Sequence, residues 1–463
     1  MDFVSNILFL CLYYIRPHEH TWGWIYQMVG WLKPIQLVTI FGMVAMVRRP
    51  GGIRKSDFVQ TPHDWLMLTL FVFIVLTSGR IQHTFMELLP VFVFYVIIVQ
   101  SLRTQERLEK FLAFWVGMIV LLSAMALGIY VGFDPVGSED VVLGTMKGRL
   151  VFNTSIFNNA NALGHSVVPA ITLLYFLLIW KRPVFVKIPA AFIVMLPALC
   201  VFNTQSKGAF LAGAVTLMAG MLFKRHWVLQ AAMLALALGA GVALVKKLPR
   251  MEEFSKKDAG IQGRQIAFEF GYDLTTQQAK WKGVGYKNYR STMVDQINVG
   301  IATHSSYNEI GSTHGQIGLC LYLGLMYLSL RVLLFAKPRT VGEDRVQRLL
   351  FVFLLSFAIS SWVVDWAYRA TFFFTAATVA AFHRLLLRDV ENPVPAGSRF
   401  PAVASDIEEA EEDESVAETE EEDSSPKNPG IRWKKIGILD ILAIVLLMKF
   451  CLYCWHQMIL AEF

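Results

Sequence analysis

The chain of 463 residues is 55% hydrophobic and only 17% charged, with a mean hydropathy of +0.48. Soluble domains have about a quarter of their residues charged, and a membrane-spanning helix needs about 20 apolar residues, so this composition excludes a soluble globular protein. The formal net charge is +6, but residues 401–426 hold twelve acidic residues and no basic one, which leaves the rest of the chain strongly basic.

Long apolar stretches follow one another along most of the chain and predict helical membrane spans. In chain order they are residues 3–16, 30–48, 63–79, 85–102, 109–131, 163–180, 186–202, 207–223, 227–245, 306–335, 346–364, 369–388 and 436–457. The first stretch is short for a bilayer core that is about 30 Å thick. We therefore predict an all-α polytopic membrane protein with about 12–13 transmembrane helices.

Short basic clusters in the connecting loops test this division, because cytoplasmic loops of membrane proteins are enriched in Lys and Arg. With the N-terminus in the cytoplasm, every such cluster falls on the cytoplasmic side. The clusters lie at residues 48–55, 103–110, 181–187, 224–225, 337–345 and 384–388. The predicted location is the inner (cytoplasmic) membrane of a bacterium, with several passes and with the longer polar segments in the periplasm.

The charge pattern also divides the chain into parts. Residues 1–390 form the predicted transmembrane domain, in which residues 246–305 are a large periplasmic loop. Residues 391–431 are predicted to be an acidic, disordered cytoplasmic linker, because so charged a segment cannot bury a core; a partner-binding segment is the alternative. Residues 432–463 carry a C-terminal transmembrane helix.

Two of the periplasmic segments carry polar residues that a simple connection does not need. In the first, Arg149 precedes Asn159 and Asn161, which stand at the start of a span, while His165 is expected to pack within the membrane. The two amides are preferred helix N-caps and are also able to hydrogen-bond sugar hydroxyls, whereas an Arg beside a helix N-terminus favours an anion. In the second, Lys207 lies at or inside the membrane boundary, where an ionisable group is a candidate functional residue and a snorkelling lysine is the alternative.

The large periplasmic loop carries the remaining candidates. It contains Arg264, a glycine turn at residues 283–285, and His304 at its end. An unperturbed histidine titrates near pH ~6.5 and so accepts a proton at neutral pH, and the flanking hydroxyls and glycines favour a functional His304. Farther along, Asp365 lies at the outer end of a span, and its favoured interpretation is a salt bridge with Arg369, four residues on.

Two short motifs resemble metal or redox sites, and we interpret both otherwise. Residues 451–456 read Cys-x-x-Cys-Trp-His, for which thiols on a helix end are favoured over a redox or metal centre. Residues 18–20 read His-Glu-His, for which an interfacial turn is favoured. No P-loop, HExxH or GxSxG motif occurs in the sequence, which argues against an ATPase, a zinc protease and an α/β-hydrolase.

The order of these segments resembles the O-antigen ligase and polymerase family, which also holds bacterial protein O-oligosaccharyltransferases. That family has an outer-loop Arg followed by a Phe-x-Asn-Pro-Asn-like stretch, and Arg149 with residues 157–161 is similar, although Ala160 stands for the usual Pro and the separation is longer. The family then has a Ser-Arg-Gly step, which residues 206–208 resemble. Lys207 replaces its Arg there, which keeps the charge and loses the bidentate fork.

The large loop continues the resemblance. A Gly-Arg pair and a Gly-x-Gly turn are matched by residues 263–264 and 283–289. The most specific motif is a His-Asn/Ser pair followed after nine residues by Gly-x-x-Gly, which His304, Gly315 and Gly318 fit. The resemblance covers roughly residues 60–390.

This resemblance implies a helical, GT-C-like membrane fold and a metal-independent enzyme with no cofactor and no metal site. It implies transfer of glycan from an undecaprenyl-diphosphate carrier to a hydroxyl acceptor on the periplasmic face. His304 and Arg264 are then catalytic, with His304 as the base, and Lys207 and Arg149 bind the diphosphate. The residues implied to bind substrate are Asn159, Asn161, Ser305, Tyr307 and Asn308.

The implied partners are undecaprenyl-diphosphate-linked glycan, membrane lipids, and an acceptor that is lipid A core, another glycan or a protein, with no nucleic acid. A ligase, a polymerase and a protein O-glycosyltransferase all remain open, with a preference for the first two because no large C-terminal periplasmic domain is present. From other classes, a transporter or flippase for lipid-linked glycan would show internal repeats and mid-membrane charges. A non-catalytic subunit of an exopolysaccharide assembly, docked through the acidic tail, is the third alternative.

Overall fold

The computed structural model describes residues 1–48, 58–225, 259–391 and 435–460 together with Val228, and in this part all regular secondary structure is helical. The α-helices are α1 Asp2–Ile15, α2 Trp24–Val29, α3 Pro34–Val47, α4 Pro62–Thr77, α5 Ile81–Ser101, α6 Gln105–Leu127, α7 Ser138–Gly144, α8 Ala160–Val167, α9 Pro169–Leu174, α10 Val184–Thr204, α11 Lys207–Leu222, α12 Ala259–Asp273, α13 Tyr289–Ile297, α14 Ser306–Phe335, α15 Val341–Ser360, α16 Ala370–Glu391 and α17 Ile438–Leu460. The predicted all-α class is confirmed.

Seven helical segments in the described part are long and apolar enough to cross a membrane, and the number rises to eight if the bent pair Trp24–Leu32 and Pro34–Val47 is one span. The chain is therefore a polytopic membrane protein. The predicted spans at residues 3–16, 63–79 and 207–223 appear as the shorter apolar helices α1, α4 and α11. The predicted span at residues 227–245 lies outside the described residues, apart from Val228.

Burial within the protein separates central helices from peripheral ones. In the most apolar stretch of α16, 83% of the residues are buried, and in that of α14 the share is 67%. The corresponding shares are only 22% for α10 and 33% for α17, whose remaining faces are apolar and suited to lipid. The core therefore surrounds α14 and α16, and α14 is the helix that begins directly after His304.

The basic loops meet at one end of the helix bundle, which we call the basic end. Lys224 Nζ lies 2.8 Å from Asp344 Oδ1, and Arg345 lies within electrostatic reach of Arg182 and Glu109. Four of the predicted cytoplasmic clusters are thus brought together, as the predicted orientation requires. The opposite end carries His304, and we call it the site end.

Three helices begin at the site end with side chains that cap them. Asn159 Oδ1 accepts from the Asn161 N–H at the start of α8, Ser206 Oγ accepts from Ala209 N–H in α11, and Ser305 Oγ accepts from Asn308 N–H in α14. Such caps satisfy N–H groups that have no partner within the helix. Because helix N-termini carry partial positive charge, the site end is a favourable place for an anion.

A break in α14 joins the two glycine motifs of the sequence into one structural unit. Gly315 has φ 64° and ψ −166°, a combination that is essentially restricted to glycine. The glycine turn of the loop pairs with the broken segment: the Val284 N–H donates to Ser312 O at 3.0 Å, and the Gly285 N–H donates to Thr313 O at 2.8 Å. Residues 283–285 were predicted to be a turn, and the structure shows that this turn stabilises the break.

The predicted large loop at residues 246–305 is only partly a loop. Within its described portion, from residue 259 onward, it forms α12, a π-helical turn at Leu274–Gln278, and α13. These elements share a small core of Phe270, Leu274, Tyr289 and Met293. Asn308 Nδ2 of α14 donates to Ala267 O of α12 at 2.9 Å and ties α12 to α14. The segment that carries Arg264 is consequently a helix held against α14.

We expect Gly315→Ala to destabilise the protein. The left-handed φ alone costs about 1–3 kcal/mol for a residue with a Cβ, and that Cβ would lie 2.4 Å from the Trp281 carbonyl carbon. The measurement is thermal unfolding of the purified protein in detergent, with Gly117→Ala as control because a Cβ there meets nothing within 4 Å. Equal melting temperatures for the two variants would contradict the role given to Gly315.

Candidate functional site

The first two sequence segments meet at the site end through Arg149. Its Nη2 donates to Asn161 Oδ1 at 2.8 Å, and its Nε donates to Thr204 O at 3.0 Å. The same Asn161 oxygen accepts from Ser206 Oγ at 2.8 Å, directly before Lys207. Asn161 therefore links two segments that each carry a half-buried cation, Arg149 in the first and Lys207 in the second.

Close helix packing explains why these segments need small residues. A Cβ on Gly164 would lie 2.9 Å from Ala209 Cβ, and a Cβ on Gly208 would lie 3.0 Å from His165 Nε2. His165 is buried, and its Nδ1 is hydrogen-bonded to Ser360 Oγ at 2.8 Å. His165 packs within the bundle as predicted, and it connects α8 and α15 next to Gly208 of α11, the residue that follows Lys207.

Arg264 and His304 belong to the same half-buried region. Arg264 acts electrostatically on both His304 and His165, so the third sequence segment adjoins the first two. Burial lowers the pKa of His304 below its ordinary value, the positive charge of Arg264 lowers that pKa further, and Asp365 acts in the opposite direction. His304 also has a left-handed backbone, with φ 53°, immediately before the cap of α14.

The segment that follows α15 closes the site next to His304. Ser305 Oγ donates to Ser361 O at 2.9 Å, and Ser306 Oγ donates to Val364 O at 2.8 Å while accepting from the Trp366 N–H at 2.9 Å. This pairing fixes residues 361–366 against the residues that follow His304. Asp365, which is exposed, is held within electrostatic reach of His304 by these contacts.

The favoured salt bridge between Asp365 and Arg369 is not formed, and this interpretation was wrong. Residues 361–369 are turns and bends, so the helical spacing that would pair them does not exist, and no ion pair within 4 Å joins them in the described structure. Asp365 instead interacts electrostatically with Glu309, as does Arg369. The sequence pattern failed here because a break between two spans was treated as helix.

Glu309 is a site residue that the sequence analysis did not select. It lies one turn into α14, and its Oε2 accepts from the Ala367 N–H at 3.3 Å. Lys287 and Arg369 also act on it electrostatically. The signal was its position within the motif after His304, but only the fold shows that Asp365 lies beside it.

Three of the predicted substrate-binding residues have structural partners. Tyr307 is buried, and its hydroxyl donates to Ala358 O at 2.8 Å. Asn308 is buried, and its Nδ2 donates to Ala267 O at 2.9 Å, which ties α14 to the helix of Arg264. Ser305 caps α14. These three side chains therefore fix the start of α14 against the neighbouring elements, and their contact with sugar stays a prediction.

Asn159 and the His-Glu-His motif also have defined places. Asn159 is exposed and caps α8, as the capping alternative predicted. Glu19 forms an ion pair with Arg16 and accepts from the Ser155 N–H at 2.7 Å. The acid of that motif thus fixes the segment between Arg149 and Asn159.

The arrangement combines the features that a reaction with an anionic leaving group needs. Four half-buried side chains, Arg149, Lys207, Arg264 and His304, lie at the site end where three helices begin. Positioned cations and helix N-termini stabilise developing negative charge most strongly where water is partly excluded. A histidine whose pKa is lowered is neutral at pH ~7 and is available as a base.

Comparison with known proteins gives one match. Residues 190–323 match the family model described as O-Antigen ligase, which confirms the resemblance to that family. The matched stretch contains Lys207, Arg264 and His304, whereas Arg149 and Asn161 lie before it. No curated protein and no solved structure matches the chain significantly.

Proposed function

We propose, on the premise that this chain is a member of the O-antigen ligase/polymerase family, that it transfers glycan from an undecaprenyl-diphosphate carrier to a hydroxyl acceptor. The family supports glycan processing of the ligase or polymerase type in general. The observation that supports the specific reaction best is the meeting of His304, Arg264 and Lys207 at one end of the bundle. In the predicted orientation this end faces the periplasm from the inner membrane.

In the proposed reaction, negative charge develops on the leaving diphosphate. The acceptor oxygen forms a bond to the anomeric carbon while the bond from that carbon to the diphosphate oxygen breaks, and undecaprenyl diphosphate leaves with the electron pair. Arg264 and Lys207 stabilise this charge, with Arg149 as a third cation. Hydrogen bonds from cations to phosphate are among the strongest available to side chains.

His304 acts as the general base. It takes the proton of the acceptor hydroxyl as the oxygen attacks, and a positioned base contributes about 10²–10⁴-fold to rate. The neighbouring Arg264 helps to keep His304 neutral and able to accept that proton. The negative charge of Asp365 then stabilises the protonated imidazole.

In this account the cationic side chains supply the charge that a metal ion supplies in other transferases, so we propose a metal-independent reaction. Ser206 and Asn161 hold the Lys207 and Arg149 segments in register, and Asn159, Tyr307 and Asn308 remain candidates for sugar contact. The acceptor is lipid A core, another glycan unit or a protein hydroxyl, with the first two preferred.

We expect Asp365→Asn to move the acidic limb of the pH–rate profile to lower pH. The Asp365 charge raises the pKa of His304, so its removal lowers that pKa and keeps the base neutral at lower pH. The measurement is kcat as a function of pH. Asp295→Asn, at an exposed position on α13, is the control, and an unmoved or upward-shifted limb would remove Asp365 from the site.

An acceptor panel tests the proposed function. Purified protein is incubated with undecaprenyl-diphosphate-linked oligosaccharide and, separately, with lipid A core, a second lipid-linked glycan and a peptide rich in Ser and Thr. Product with any one of them supports transfer and identifies the subclass. Movement of the lipid-linked glycan across liposomes without any product would instead favour the transporter alternative.

A further inference from the structure

The C-terminal helix α17 carries the Cys-x-x-Cys-Trp-His motif, which the proposed chemistry does not use. Trp455 of this motif is 1% exposed, although α17 lies at the periphery of the bundle. Its indole Nε1 donates to Phe268 O at 3.1 Å. A buried tryptophan needs such a partner for its N–H, and here the partner is the backbone of the helix that carries Arg264.

The contact lies one helical turn beyond Arg264. Phe268 follows Arg264 by four residues in α12, and on the next turn the Tyr272 ring centroid lies 5.8 Å from Trp455 and 5.4 Å from His456. Trp455 and His456 therefore contact the second half of α12. A shift of these contacts would move Arg264, because Arg264, Phe268 and Tyr272 lie on consecutive turns of the same helix.

The same tryptophan contacts the helix that follows His304. A Cβ on Gly311 would lie 3.2 Å from Trp455 Cζ3, so α14 and α17 approach each other closely at this point. At the basic end, Asp440 accepts from the Tyr327 hydroxyl at 3.0 Å and forms an ion pair with the buried Arg331. Two anchors, one at each end, thus fix α17 along α14.

We propose that Trp455 is a positioning residue, which sets Arg264 on α12 at its place beside His304, just before α14. The inference rests on the proposed roles of Arg264 and His304. Trp455 and His456 then have a role in positioning α12, and this role does not depend on metal binding or redox chemistry at the two cysteines.

The test compares Trp455→Phe with Tyr453→Phe in the full-length protein. The first change removes the N–H that binds Phe268 and keeps an aromatic ring, while the second removes a hydroxyl from a residue on the same helix that is 60% exposed. We expect Trp455→Phe to lower kcat about 3–10-fold, as the loss of one net hydrogen bond allows, with the acceptor KM unchanged. Its acidic pH limb moves to higher pH, because Arg264 then depresses the His304 pKa less. Tyr453→Phe changes neither quantity.

A second readout separates this inference from the proposed function. NMR titration of His304 in isotope-labelled protein reports the Arg264–His304 proximity without any turnover. A higher His304 pKa in Trp455→Phe, even if wild-type protein shows no transfer, supports the positioning role while the function fails. An unmoved titration curve in an active protein overturns the positioning role and leaves the function standing.

If Trp455→Phe does not fold, Tyr272→Leu replaces it. This change removes the aromatic ring that contacts Trp455, and we expect it to shift the His304 titration in the same direction. An unchanged titration in that variant also overturns the inference. A purely structural role would lower only the folded fraction and would leave kcat per folded molecule and the pH limb as in wild type.

Discussion

Replacement of His304 by Ala is expected to lower kcat by about 10²–10⁴-fold, which is the contribution of a positioned general base. The acceptor hydroxyl would then have to lose its proton to water. The acidic limb of the pH–rate profile should disappear, because that limb reports the titration of His304. KM for the lipid-linked donor should change little, since the cations that are proposed to bind the diphosphate remain.

The control for this variant is His83→Ala, because His83 is a histidine near the start of α5 whose side chain is 70% exposed. Melting in detergent confirms that both variants fold. A His304→Ala protein with wild-type kcat and an intact acidic limb would exclude His304 as the base.

Replacement of Arg264 by Ala is expected to lower kcat by about 10²–10³-fold, comparable with removal of one donor from an oxyanion site. The effect has two components. The leaving diphosphate loses a cation, and the pKa of His304 rises because Arg264 lowers it. The acidic limb should therefore move to higher pH, opposite to the shift expected for Asp365→Asn.

Arg264→Lys should recover part of the rate, because Lys keeps the charge but offers no bidentate fork. Arg290→Ala removes an exposed Arg from the neighbouring helix α13 and serves as the control. The expected fall in kcat without any movement of the acidic limb would show that Arg264 acts only on the diphosphate. Wild-type rate in Arg264→Ala would remove it from the site.

The fold class was predictable because hydropathy depends on local composition alone. The long spans and the sorting of basic loops follow from stretches of about 20 residues. The number of spans was less predictable, since α1, α4 and α11 are apolar but shorter than the spans around them. The helices α12 and α13 within the large loop were missed because their residues are polar and no apolar run marks them.

The candidate site was predictable where one segment carries its own motif. Arg149, Lys207, Arg264 and His304 were each selected from local sequence, and the fold places them at the same end of the bundle. The roles of their neighbours were not predictable in this way. Tyr307 and Asn308 are predicted to contact substrate, which stays a prediction, and only the fold shows that they also hold α14 to other elements.

The features of the site that could not be predicted depend on contacts between residues far apart in the sequence. Asp365 lies 61 residues after His304, and its place beside that histidine depends on the break between α15 and α16. Trp455 follows the acid-rich residues 401–426 in the sequence, so nothing in its local sequence indicates that it contacts the helix of Arg264. The hydrogen bonds between residues 283–285 and the break at Gly315 likewise become visible only in the folded structure.

One assay tests the central claim most directly. Purified full-length protein and its His304→Ala variant are given undecaprenyl-diphosphate-linked oligosaccharide and an acceptor in the presence of EDTA, and both the glycan product and the released undecaprenyl diphosphate are counted. We expect equal amounts of the two from the wild type and neither above background from the variant. Equal product from both proteins would contradict the role of His304. A wild type that forms no product with any acceptor, and instead moves the lipid-linked glycan across liposomes, would contradict the proposed transfer.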